Sequence, residues 1–460
     1  MKIKLLIFSL LLCFILITPT KANNLEETAK KVISDNPTEA AKAIADLRKA
    51  GTSGLESLFK VFSKDIKNHL ESSSLSTDPN WEKIRQAIES VSRQRDGHAS
   101  KLYWYTDLEQ AKAISKASGK PILSLRLLGN LDEELSCANS RFFRIVLYSN
   151  SEISTYLQEH YILHWKSVRP VPKMTIDFGD GRKMERTITG NSIHYVLDTE
   201  GRLIDALPGM NSPKAFLTWL TKVEPLAKFP YNSAEASQRD FRFSGLRTFH
   251  KNAITETGNQ LTTALAQVGE EVALNALLLG DVKNKLVNVS NKADLTQDSE
   301  TLPTALDAAP RAPTKMLMVE APILKQMNNN LDDFKAVAND VTWNKLARLY
   351  ISEVKIDSSS QSLMAAKNIN AYGNKASTSD PIAKVLENFT FAIAKDSVFN
   401  EYFFHTKIHE WLMDPNNYND LEAFNDKVYS ELFLTPKSDP WLGLKPNDIY
   451  SAIENDGLVK

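Results

Sequence analysis

Apolar residues recur at helical spacing through the first hundred positions. They fall at Ala29, Val32 and Ile33, at Ala40, Ala43, Ile44 and Leu47, and at Leu58, Val61 and Phe62; a further face combines Trp81, Ile84, Ala87, Ile88 and Val91. Asn36-Pro37-Thr38 is a helix-start signal, and Gly51-Thr52-Ser53-Gly54 reads as the stop of the same helix. Short helices joined by brief turns predict a helical region over 23–100, a structural cap on the next domain.

From about Leu102 the period changes. Thr106-Asp107 caps a helix carrying Leu108, Ala111, Ala113 and Ile114, which stops at Gly119. Pro121 to Leu128 reads as a buried strand and Tyr161 to Trp165 as a second. Gly179-Asp180-Gly181 joins Thr175–Phe178 to Met184–Ile188 as a hairpin, and Asp198 to Gly201 joins Ile193–Leu197 to Arg202–Ala206 as another. A helix from Pro213 to Val223 closes this unit, expected over 101–226. Beyond it lie a partly helical linker region, 227–322, and a helical domain, 323–460. The linker's 288–322 stretch is rich in Asn, Asp, Thr and Pro. Helical periodicity returns over 331–354, 382–412 and 421–433, and 434–444 reads as an apolar strap.

Composition narrows the class. The chain has 460 residues, enough for two or three cores, and a net charge of -1, so nothing global points to nucleic acid or an anionic membrane. Lys2 and Lys4, the apolar run Leu5–Ile17 and Thr20-Lys21-Ala22 read as a signal peptide, 1–22, cleaved after Ala22. That run is short for a membrane span, so stable insertion after cleavage is not expected. The expected location is the periplasm or the outside of the cell. Cys13 lies in the leader, which leaves Cys137 as the one mature cysteine and no disulfide framework.

Cys137-Ala138-Asn139-Ser140 comes after one strand and opens a helix-like run. Together with the helix Leu108–Ser118, the turn Gly119-Lys120-Pro121, the strand Ile122–Leu128 and the closing hairpin Tyr195–Ile204, it resembles exported members of the thioredoxin-like superfamily. The resemblance covers about 125 residues. It implies an α/β thioredoxin-like domain, a central mixed sheet with flanking helices, set between an N-terminal helical region and a mainly α C-terminal region. Two departures stand out. Ser140 replaces the second cysteine of Cys-x-x-Cys, and Ser192 occupies the place of the family's cis-proline.

The thiolate is the reactive form of cysteine, and unpaired N–H groups at a helix start stabilise negative charge. Arg141, one turn on, adds to that; Asp132, Glu133 and Glu134 would oppose it if their loop folded back. On the family pattern Ser140 donates a hydrogen bond to the sulfur. His194 and His164 fall on strands of the same sheet, where either could assist as a base, though a satisfied core or surface histidine is the favoured reading. Two functions are compatible with this pattern. One is thiol–disulfide exchange by Cys137, with Ser140 in support, on a protein or small-thiol disulfide and without a cofactor. The other is a non-catalytic binding or scaffold protein that holds a partner with its helical flanks.

Two further clusters draw notice. Arg169, Lys173, Arg182, Lys183 and Arg186 gather around the inserted hairpin, read as a solvated face. Glu401, His405 and His409 recur every fourth residue on one helix face, a spacing compatible with zinc. With no further ligand evident nearby, packing is the favoured role there and no metal is expected. No Gly-x-Ser-x-Gly, P-loop or dinucleotide fingerprint is present.

Overall fold

The computed structural model describes residues 19–71, 79–187, 190–228, 236–268, 340–367, 381–433 and 435–442. Most of the expected leader, the 288–322 linker, Ile188, Leu434 and the end of the strap from 443 lie outside these residues. Within them the protein is mixed α/β, with one five-stranded mixed sheet and many helices.

The N-terminal region comprises α1 (Pro19–Lys30), α2 (Pro37–Lys49), α3 (Thr52–Val61), α4 (Ser63–Glu71), α5 (Pro79–Ser92) and the single turn α6 (Gly97–Ser100). Helix α1 runs through the expected cleavage position at Ala22. Asn36 caps α2 by accepting the N–H groups of Thr38 and Glu39, as its sequence signal implies. Ala29, Leu47, Leu58, Ala87, Ile88 and Val91 meet in a core of their own. The Gly51–Gly54 segment divides. Helix α2 ends at Lys49 and Gly51, at φ +72°, follows its C-cap as a stop should, but Gly54 lies inside α3, where a Cβ would fall 2.0 Å from the Leu47 carbonyl oxygen. This glycine is a close helix–helix contact, not a stop.

The sheet is built from β1 (Trp104–Tyr105), β2 (Ile122–Leu128), β3 (Ile162–Arg169), β6 (Ser192–Leu197) and β7 (Leu203–Pro208), in the order β1-β3-β2-β6-β7. Strands β1, β3 and β2 run parallel; β6 is antiparallel to β2 and to β7. All seven residues of β2 are buried, which explains their unbroken apolar run around Ser124 and Arg126. Helices α7 (Leu108–Ser118), α8 (Ala138–Phe142), α9 (Ser151–His160) and α10 (Pro213–Lys228) complete this part, α8 continuing as a π-helical turn, Phe143–Leu147. Helix α10 runs past Pro225, so the expected boundary at 226 falls inside a helix. The inserted hairpin, β4 (Lys173–Asp177) and β5 (Lys183–Thr187), forms a separate two-stranded sheet that is largely exposed, with Phe178 and Met184 in solvent.

The C-terminal part contains α11 (Ala236–Val268), α12 (Asp340–Tyr350), α13 (Ser358–Lys367), α14 (Pro381–Phe399), α15 (Thr406–Leu412) and α16 (Leu421–Lys427). Two more π-helical turns occur here: Asn400–His405 links α14 to α15, and Val428–Leu432 extends α16. These helices share one apolar core with the sheet, from Leu102 to Leu442. Tyr195 on one sheet face bonds Asn425 and packs on Phe424, whereas His194 on the other meets Phe143 and Phe216. An ionic cluster with a buried centre ties the three parts together: Asp96 pairs with Lys367 at 2.8 Å and lies 3.7 Å from the buried Arg144, and at its outer side Glu134 pairs with Arg95 and Lys367.

Candidate functional site

Two places concentrate chemistry. The first is the start of α8. The Cys137 N–H donates to the Leu128 carbonyl at the end of β2, so the cysteine sits directly beyond the buried strand. Its sulfur caps α8 by accepting the Ser140 backbone N–H at 3.4 Å. The expected bond from the serine hydroxyl is absent. Ser140 Oγ donates instead toward Ser136 Oγ, 2.6 Å away, and lies 3.0 Å from the Cys137 carbonyl. A serine one turn into a helix reaches back to local backbone and hydroxyl acceptors in preference to a sulfur, a weaker acceptor.

Cys137 has no solvent exposure and belongs to the central core. Arg141 turns away to bond Thr187 Oγ1 at the foot of the inserted hairpin, and Thr187 in turn donates to the Ser136 carbonyl. The acidic residues that might have opposed a thiolate have partners elsewhere: Asp132 with Arg93, Glu133 with Asn130, and Glu134 with Arg95 and Lys367. Ser192 opens β6 and is fully buried, with its hydroxyl bonded to nothing among the described residues. Tyr429, from the turn after α16, donates to the Asn191 carbonyl beside it, and Asn191 Nδ2 donates to Thr435. The strap is fastened further by Arg169, whose guanidinium donates to the carbonyls of Thr435, Pro436 and Asp439. Arg169 therefore leaves the solvated basic face on which it was expected. Arg182 and Lys183 stay there, paired with Asp180 and Asp177.

Neither predicted base is free to act. Tyr148 Oη and His194 Nε2 share a hydrogen bond at 2.6 Å, and Ser124, itself accepting from Arg126, bonds His164 Nδ1 at 2.8 Å. Burial pushes both imidazoles down to about 3, so both are neutral.

The second place surrounds Asp205, a lone acid on the otherwise apolar β7. Glu401, His405 and His409 do come together, as their spacing implies. His405 Nδ1 lies 3.1 Å from Glu401, and the rings of His405 and His409 are 4.1 Å apart. Two residues that the local sequence did not reveal complete the group. Asp205 Oδ2 receives the Trp219 indole N–H at 2.9 Å and lies 3.3 Å from His405 Nε2; its Oδ1 is 3.5 Å from His409 Nδ1. His250 of α11 places its Nδ1 2.9 Å from the Nδ1 of His409. Asp205, His250 and His409 are all buried.

Charge is unevenly shared here. Burial disfavours a protonated His405, yet the flanking Asp205 and Glu401 outweigh it and raise its pKa to about 10. Burial and the charged His405 hold His409 well below its usual range, and burial lowers His250 to about 4. A cavity of about 540 Å³ opens beside the group, lined by Asp205, Trp219, Glu401, His405 and His409 among others. The polar lone acid in β7 was a signal available in the sequence; His250 had none, because only the tertiary fold brings α11 there.

No protein-family model, curated protein or solved structure matches the chain.

Proposed function

We propose that this is an exported thioredoxin-like protein of the non-catalytic kind, a scaffold whose sheet carries helical flanks that hold a partner protein. The observation that carries this reading is the complete burial of Cys137 in the core, with the strap fastened beside it through Tyr429, Thr435 and Arg169. A nucleophile needs an approach path, and a structural buried cysteine is inert. Membership of the superfamily is supported by the mixed sheet, by the cysteine opening the helix after the buried strand, and by the closing antiparallel hairpin. The projecting β4–β5 hairpin, with Phe178 and Met184 exposed, supports a role in contacting a partner.

Thiol–disulfide exchange is the second reading, favoured by the helix-start position of Cys137 and the N–H that Ser140 offers its sulfur. In that reaction the thiolate attacks a substrate disulfide, one substrate sulfur leaves as a thiolate, and a mixed disulfide remains. The core around Cys137 would first have to open. Alkylation of the folded full-length protein separates the two readings. The scaffold reading expects labelling only at the rate at which the protein opens. Rapid labelling of the native state, lost in Cys137→Ser, would overturn it in favour of exchange.

A further inference from the structure

The geometry points to a divalent transition-metal site formed by Asp205 Oδ1, His250 Nδ1 and His409 Nδ1, with an open coordination position toward the adjoining cavity. These three ligand atoms converge from three separate elements, β7, α11 and α15, and all lie within 4.8 Å of one another. Two ligands each ~2.0–2.1 Å from a zinc-sized ion stand ~2.9 Å apart at a right angle and ~3.5 Å apart near 120°. The His250–His409 separation is 2.9 Å and the His409–Asp205 separation is 3.5 Å. These two separations fit a single ion, and the third pair, Asp205 and His250, lies within 4.8 Å.

A second observation concerns the carboxylate. Asp205 is fully buried, and its Oδ1 accepts no hydrogen bond among the described residues. Buried charges are normally paired at both oxygens or bound to a metal. Here the other oxygen, Oδ2, is held by Trp219 and faces His405, which leaves Oδ1 aimed at the two imidazoles. That is the arrangement of an oriented carboxylate ligand with its own outer support.

A neutral imidazole offers one ring nitrogen as a ligand. The Nδ1 atoms of His250 and His409 face each other at 2.9 Å, and an ion bound by both would take the place of that contact. His405 stands outside the ligand set and pairs with Glu401 and Asp205. Two nitrogens and one oxygen suit zinc, cobalt or iron in the divalent state better than calcium or magnesium. Three protein ligands beside a cavity is the pattern of a site that keeps a position for water or substrate. The π-helical turn Asn400–His405, which sets the phase of α15 against β7, is a feature often found at functional sites.

The test uses the full-length protein, stripped with a chelator and titrated with Zn²⁺ by calorimetry and with Co²⁺ by visible absorption. One equivalent should bind, with cobalt bands of low-coordinate intensity. His250→Gln and His409→Gln should each weaken binding more than about 100-fold, and Trp219→Phe, which frees the carboxylate, by about 10–100-fold. Absence of stoichiometric binding by the native protein overturns the proposal, as does undiminished binding in both histidine variants. Should those variants fail to fold, anomalous scattering from the cobalt-loaded native protein decides: a peak between Asp205, His250 and His409 supports the site, and a peak elsewhere overturns it.

Discussion

The phenol of Tyr429 donates to the backbone carbonyl of Asn191 across 3.1 Å, joining the turn after α16 to the residue that precedes β6. Both residues are buried, and the Tyr429 phenol lies near enough to Cys137 to feel its charge. Tyr429→Phe keeps the packing and removes one hydrogen bond, at a cost of about 1 kcal/mol. Native-state alkylation of Cys137 should then speed up about fivefold, read by intact-mass spectrometry over time. An unchanged labelling rate would show that the sulfur is reached by another route.

The pair Arg126–Glu422 should respond unequally to substitution. Arg126 is buried, and its guanidinium is held by Ser124 and by the half-exposed Glu422. Glu422→Ala leaves a buried charge with its main counter-ion gone and should cost about 3 kcal/mol. Arg126→Met replaces the stem by a similar volume and should cost about 1 kcal/mol, since Glu422 can hydrate and still meet Lys166. Denaturant midpoints rank the two; the reverse order would show that the guanidinium is already well solvated.

Acid should destabilise the fold before its carboxylates titrate. Burial holds His98, His164 and His194 each down to about 3 in the folded protein, against an ordinary value near 6.5. Between those limits the unfolded chain binds more protons at these three sites, so their contribution to stability is complete above about pH 6.5 and falls as pH drops, whereas the raised His405 contributes with the opposite sign above pH 6.5. The slope contributed by each histidine reaches about 1.4 kcal/mol per pH unit. Urea midpoints at pH 7.5, 6 and 5 should decline steadily, and His194→Phe should flatten the curve. A midpoint that does not move from pH 7.5 to 5 would contradict neutral burial.

Gly54→Ala should destabilise the N-terminal region by about 1–3 kcal/mol, because its new methyl group would meet the Leu47 carbonyl and force α2 from α3. Thermal unfolding of the full chain measures this. An equal midpoint would place the closeness of the two helices in doubt.

The elements with strong local signals were legible from the residues alone. Asn36 and Asp107 cap the helices they precede, β2 matches its apolar run, and the two hairpins turn at Gly179–Gly181 and Asp198–Gly201. What was misread or missed depends on long-range contact. Gly54 looked like a stop because a helix–helix approach leaves no mark beside it. Trp104–Tyr105 is too short for a strand period to register. The hydroxyl of Ser140 had several nearby acceptors, and only packing decides among them. At the histidine cluster the spacing of Glu401, His405 and His409 was visible. Their partners Asp205 and His250 lie some 150–200 positions upstream and are joined to them only by the fold.

The sheet's borders have a consequence for assembly. Strand β1 is only two residues long, and β7 is flanked by α10, α15 and the turn Asn400–His405. The two-residue β1 is too short to offer a long row of backbone groups through which sheets of separate molecules fuse, and β7 has helices packed about it. The β4–β5 ribbon stands apart from that protection, with Phe178 at its tip. Among the described residues, that exposed ribbon offers a strand pair to which another chain could add.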